Sequence, residues 1–129
     1  MITYYAHSRM KYNTEIEKYE LSLIDGEVIN PNGTVIQGRP AEEILKDCFE
    51  LIDKCDRFVF STVSGTIGKG CFEEIFYAMK TKKKVYLLDG HKIRELKAFH
   101  LTPIKDYDND KVFAIVEVDE YENEENNEK

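Results

Sequence analysis

The chain has 129 residues, 42% of them apolar and 33% charged, which suits one globular domain with a real core and excludes the disordered class. No apolar run reaches the roughly 20 residues that a membrane-spanning helix needs. The net charge of −7 is uneven: residues 119–129 hold six acids and one lysine and carry −5, so the body lacks the basic surplus expected of a nucleic-acid binder.

Ile2 to His7 is a short apolar and aromatic run that suits a buried first strand. Thr14 followed by Glu17 has capping-box spacing. Ile16, Tyr19 and Leu23 then recur at helical intervals, and Asp25-Gly26 stops that helix. Glu27 to Asn30 reads as a brief strand before the loop Pro31-Asn32-Gly33. Pro40 opens a second helix, whose inner face carries Ile44, Cys48, Leu51, Ile52 and Cys55. Arg57 to Thr62 is the most strand-like segment of the chain. A loop with three glycines, Ser64 to Gly70, leads into a third helix marked by Phe72, Ile75, Phe76 and Met79. Lys84 to Leu88 is a fourth strand and Val112 to Val118 a fifth. Between them, Asp89-Gly90 fits a hairpin into His91–Leu96, while Ile93, Leu96 and Phe99 equally fit a short helix.

Strands alternating with helices predict an α/β fold of the flavodoxin-like kind: a mostly parallel sheet of about five strands with helices on both faces. One domain is expected over 1–118, followed by a solvated acidic tail over 119–129. The opening Met1-Ile2-Thr3-Tyr4-Tyr5 lacks the pattern of a secretory signal, so a cytoplasmic chain is expected. Cys48, Cys55 and Cys71 form no Cys-x-x-Cys pair, and the three histidines are scattered. Neither a disulfide framework, nor a metal site, nor a cofactor is expected.

In such sheets ligands bind beyond the carboxyl ends of the strands. That rule selects His7-Ser8-Arg9, the stretch Asn30 to Arg39, and Thr62 to Glu74. Glycines let a backbone approach a ligand, and the amides that open a helix attract anions. Ser64, Gly68, Lys69 and Gly70 therefore join the candidate binding residues. Gly70 follows Lys69 where a P-loop needs Ser or Thr, and no G-x-G-x-x-G occurs, so triphosphate hydrolysis and dehydrogenase chemistry lose support. Glu73 and Glu74 are expected in the first helical turn, where the plainer explanation is the helix dipole. Glu74 borders the buried stripe and can face a cavity.

Gly70-Cys71-Phe72-Glu73-Glu74-Ile75-Phe76-Tyr77-Ala78, followed by Lys83-Lys84-Val85, resembles the nucleoside 2-deoxyribosyltransferase superfamily. Val28 to Asn32 and Lys54 to Val59 are similar to that family's second strand with its proline turn and to its entry into strand three. The resemblance implies cleavage or transfer of an N-glycosidic bond of a small nucleoside or nucleotide. It places the nucleophile on Glu74, which would form a covalent glycosyl-enzyme as in retaining carboxylate chemistry. The leaving base needs a proton, for which His7 at a strand's carboxyl end is the candidate, with Tyr4 or Tyr5 beside it. Arg9 and Arg39 are candidates for a substrate phosphate, which a guanidinium meets with two donors. A homodimer or larger assembly is also implied. Gly68 and Lys69 stand where the family carries an acid and Phe76 where it carries glycine, which leaves a second reading open: a non-catalytic nucleotide-binding or sensing module. An electron carrier using flavin is disfavoured, because no Ser/Thr-rich loop follows strand one.

Overall fold

The computed structural model describes residues 1–107 and 110–118; the acidic segment 119–129 lies outside them. The elements are β1 (Ile2–Ala6), α1 (Glu15–Ser22), β2 (Glu27–Ile29), α2 (Ala41–Asp53), β3 (Arg57–Ser61), β4 (Thr66–Gly68), α3 (Lys69–Lys80), β5 (Lys84–Asp89), β6 (Lys92–Glu95), β7 (Phe99–Tyr107) and β8 (Asp110–Glu117). A 3-10 turn, Arg9–Lys11, connects β1 to α1.

A five-stranded sheet runs in the order β2-β1-β3-β5-β6. Its first four strands are parallel, and β6 returns antiparallel to β5 through the turn at Asp89-Gly90. The hairpin is thus the alternative realised over 91–96, and it supplies the fifth strand of this sheet. The segment expected as the fifth strand lies elsewhere. It is β8, which pairs antiparallel with β4 and β7 in a separate three-stranded sheet.

The pleat sends alternate side chains to opposite faces, and each face has its own helices. Tyr4, Ala6, Phe58, Phe60, Val85 and Leu87 pack on one side with Cys48 and Ile52 of α2 and Ile75 and Ala78 of α3. Tyr5, Val59 and Leu88 pack on the other with Ile24 and, from the end of α1, Leu21 and Leu23. Thr14 caps α1 as its spacing predicts, with its side chain accepting from the Glu17 amide at 3.3 Å. The buried face of α1 is not the apolar one, however. Ile16 and Tyr19 are more than half exposed, while Glu17 and Glu20 are buried. The reason is chemical: the ends of β1 and β3 under this helix present His7 and Ser61, and the 3-10 turn adds Lys11, which carboxylates satisfy and alkyl chains do not.

The glycine loop before α3 is shorter than expected. Thr66–Gly68 forms β4 against β8, and α3 begins immediately at Lys69. Glu73 and Glu74 consequently fall in the second turn of the helix, which weakens the explanation of both as partners of its dipole.

Candidate functional site

A cavity of about 640 Å³ opens beyond the carboxyl ends of β1 and β3. Strand order departs in both directions from β1, so the site sits at the switch point of the sheet. One wall is the turn after β1 (His7, Ser8, Arg9 and Tyr12), and Pro31 and Gln37 belong to the loop after β2. The start of α2 adds Ala41, Glu42, Ile44, Leu45 and Cys48, and the start of α3 adds Gly68, Lys69, Gly70, Cys71, Glu73 and Glu74. Neither helix has a side-chain cap: Pro40 and Gly68 occupy the N-cap positions, and no side chain bonds to the amides that follow.

Glu74 is the central group. It is buried, lines the cavity, and accepts a hydrogen bond from the Tyr4 phenol, which rises from β1 under the same face of the sheet. No lysine, arginine or histidine forms an ion pair with it among the described residues. Burial pushes its pKa from the ordinary 4.5 up to about 7, against the opposing effect of the Tyr4 bond. The carboxyl therefore titrates near neutrality in a cavity, a range in which a group can both give and take a proton. Burial, then the Glu74 charge, holds the Tyr4 phenol well above its usual range, so it remains a donor. Burial and the same charge push the Cys48 thiol up to about 11 and raise Cys71 as well. Both thiols stay protonated, which makes them weak nucleophiles.

His7 also lines the cavity, but its ring is committed. Nε2 lies 2.6 Å from a Glu17 carboxylate oxygen, Nδ1 lies 3.3 Å from the Tyr5 carbonyl, and the imidazole stacks on the Tyr5 ring at 3.9 Å. Burial holds its pKa below the ordinary value despite Glu17. The ring donates its Nε2 proton to Glu17, which also accepts from the Asn13 amide and the Asn32 side chain. His7 thereby ties the end of β1 to the loop after β2. A second buried network lies beside it. Lys11 Nζ donates to Glu20 at 3.0 Å, to Ser61 at 2.9 Å and to the Thr62 carbonyl at 2.8 Å, and Tyr5 donates to Glu20.

Of the residues expected from the sequence, the fold gathers His7, Ser8, Arg9, Gly68, Lys69, Gly70 and Glu74 around one cavity. Ser8 also accepts from the Met10 amide, and Arg9 and Lys69 are exposed at its edge. Four others stand apart. Tyr5 is fully buried beneath α1 and bonded to Glu20. The Asn30 side chain folds back to accept from the Asn32 amide. Arg39 pairs with Asp47 at 2.6 Å and donates to the Ile36 carbonyl. Ser64 occupies a positive-φ position in the tight turn between Val63 and Thr66. Sequence reasoning missed Tyr12, Cys48 and Cys71 as wall residues; only the odd placement of an aromatic between Lys11 and Asn13, off any apolar stripe, marks Tyr12.

Among the described residues no group of three or more His, Cys, Asp or Glu side chains is placed to hold a metal ion, and no helix is long and apolar enough to cross a membrane. Comparison with protein-family models, with curated proteins and with solved structures finds no match.

Proposed function

We propose that this protein is a flavodoxin-like domain that cleaves, or transfers, the N-glycosidic bond of a nucleoside or nucleotide, with Glu74 as the nucleophile. The observation that carries the reading is a buried, cation-free carboxylate in the wall of a cavity large enough for such a molecule, with one phenol bonded to it. One carboxylate oxygen held by Tyr4 fixes the group, and its ionised form attacks the anomeric carbon. The C–N bond breaks as the C–O bond to Glu74 forms, and its electron pair leaves with the base. Water then displaces Glu74 from the sugar, or a second base takes its place. Arg9, Lys69 and the uncapped amides of α2 and α3 suit the polar end of a nucleotide. The parallel order β2-β1-β3-β5, with helices on both faces, supports the flavodoxin-like assignment.

The test is incubation with deoxynucleosides, deoxynucleoside monophosphates and nicotinamide dinucleotide, followed by chromatography for free base. Release that persists in Glu74→Ala rejects the mechanism. The commitment of His7 to Glu17 favours a second reading, a nucleotide-binding module without turnover, because it leaves the cavity no free imidazole to protonate a base. In that case nucleotides raise the melting temperature and are recovered intact.

A further inference from the structure

One of the unspent polar groups in the cavity is a phenol. Tyr12 lines it, is half-buried, and its hydroxyl makes no hydrogen bond to another described residue. Its position is nevertheless fixed from every side. Its own amide donates to the Arg9 carbonyl at 3.0 Å. Lys11, before it, is anchored by three bonds to Glu20, Ser61 and Thr62. Asn13, after it, donates its amide to Glu17 at 3.1 Å. Its ring leans on His7 at 4.9 Å, and His7 is itself clamped between Glu17 and the Tyr5 ring. Both buried networks thus converge on the two residues flanking Tyr12 and on the ring beneath it. Such support is what a preorganised donor needs.

We infer that Tyr12 is the hydrogen-bond donor to the departing base, in the part that chain position suggested for His7. The inference rests on the glycosidic reading of Glu74. Burial and the Glu74 charge push the Tyr12 phenol up to about 12, so it keeps its proton through the reaction. It lowers the energy of the base anion by donating to a ring nitrogen or carbonyl on which the electron pair of the broken C–N bond settles. The proton that neutralises the base comes from the water whose oxygen then displaces Glu74 from the sugar, so that sugar, base and water balance.

The experiment compares Tyr12→Phe with the wild-type chain on two substrates. A natural 2′-deoxynucleoside loses its base as an anion; an N7-methylated purine deoxynucleoside is a cation and loses a neutral base, which needs no donor. The expected result is a fall in kcat/KM of about 100- to 1000-fold on the first, on the scale of losing one transition-state donor, and little change on the second. Equal losses on both make Tyr12 structural, and no loss on either removes it from the reaction; each outcome overturns the inference. Wild-type protein that releases base from neither substrate overturns the glycosidic reading and this inference with it, whereas wild-type release with an unaffected variant overturns the inference alone. The hydroxyl holds nothing in place, so the variant folds; its near-ultraviolet dichroism confirms this before kinetics.

Discussion

Replacing Glu74 by Gln isolates what the buried carboxyl costs the fold. The group titrates near 4.5 when unfolded and at about 7 in the folded chain. Because the folded pKa is the higher, the folded state holds the extra proton between those values, and stability falls as pH rises through that window. Each pKa unit is worth about 1.4 kcal/mol, so the ionised carboxyl costs the native state about 3 kcal/mol at pH 8 and almost nothing at pH 4. Gln retains the size of Glu and accepts the Tyr4 hydrogen bond, but carries no charge to desolvate. Urea unfolding of the two chains across pH 4 to 8 is the assay. Glu74→Gln is expected to match the wild type at pH 4 and to exceed it progressively, by about 2 to 3 kcal/mol at pH 8. A difference that stays flat with pH, or a variant less stable at pH 8, refutes the claim that an uncompensated carboxylate is buried there. A group kept at such expense is ordinarily kept for what it does.

Tyr4→Phe removes the bond that restrains the Glu74 pKa; a hydrogen bond to a charged group is worth roughly 1.5–3 kcal/mol, so the titration moves up by about one to two units. If Glu74 attacks as the carboxylate, base release rises with pH through that titration, and the variant is about 5- to 50-fold slower at pH 7 and recovers near pH 9. A profile that falls above pH 7 instead makes Glu74 an acid. Lys11→Met strands Glu20 and Ser61 in the interior and is expected to cost about 3–5 kcal/mol in denaturant unfolding, with much of the loss regained in Lys11→Met/Glu20→Gln. A loss below about 1 kcal/mol shows that water reaches the pair.

The strands of the central sheet are legible in the chain because they are buried on both faces: Ile2–Ala6, Arg57–Ser61 and Lys84–Asp89 read as continuous apolar runs. Helix α2 is equally plain, since its apolar stripe is the stripe it buries. Helix α1 misleads because its inward carboxylates are justified by residues distant in sequence; Ser61, which donates to Glu20, is 41 positions away. The three-residue β4 carries no pattern of its own and exists because β8 pairs with it. In the site, Glu74 is visible from local motif and helix placement, whereas the committed state of His7 is not, because its partner Glu17 sits on a face that apolar periodicity assigns to solvent.

The pairing of β4 with β8 also sets a schedule. Gly68 and Val112 are opposite one another, so the residue that precedes the Glu74 helix is paired with a strand near the end of the described chain. As the polypeptide leaves the ribosome, β1 to β5 can assemble before that partner has been made. A nascent chain arrested before β8 emerges therefore carries Glu74 on a helix that packs in the core but whose leading end lacks the strand that pairs with it.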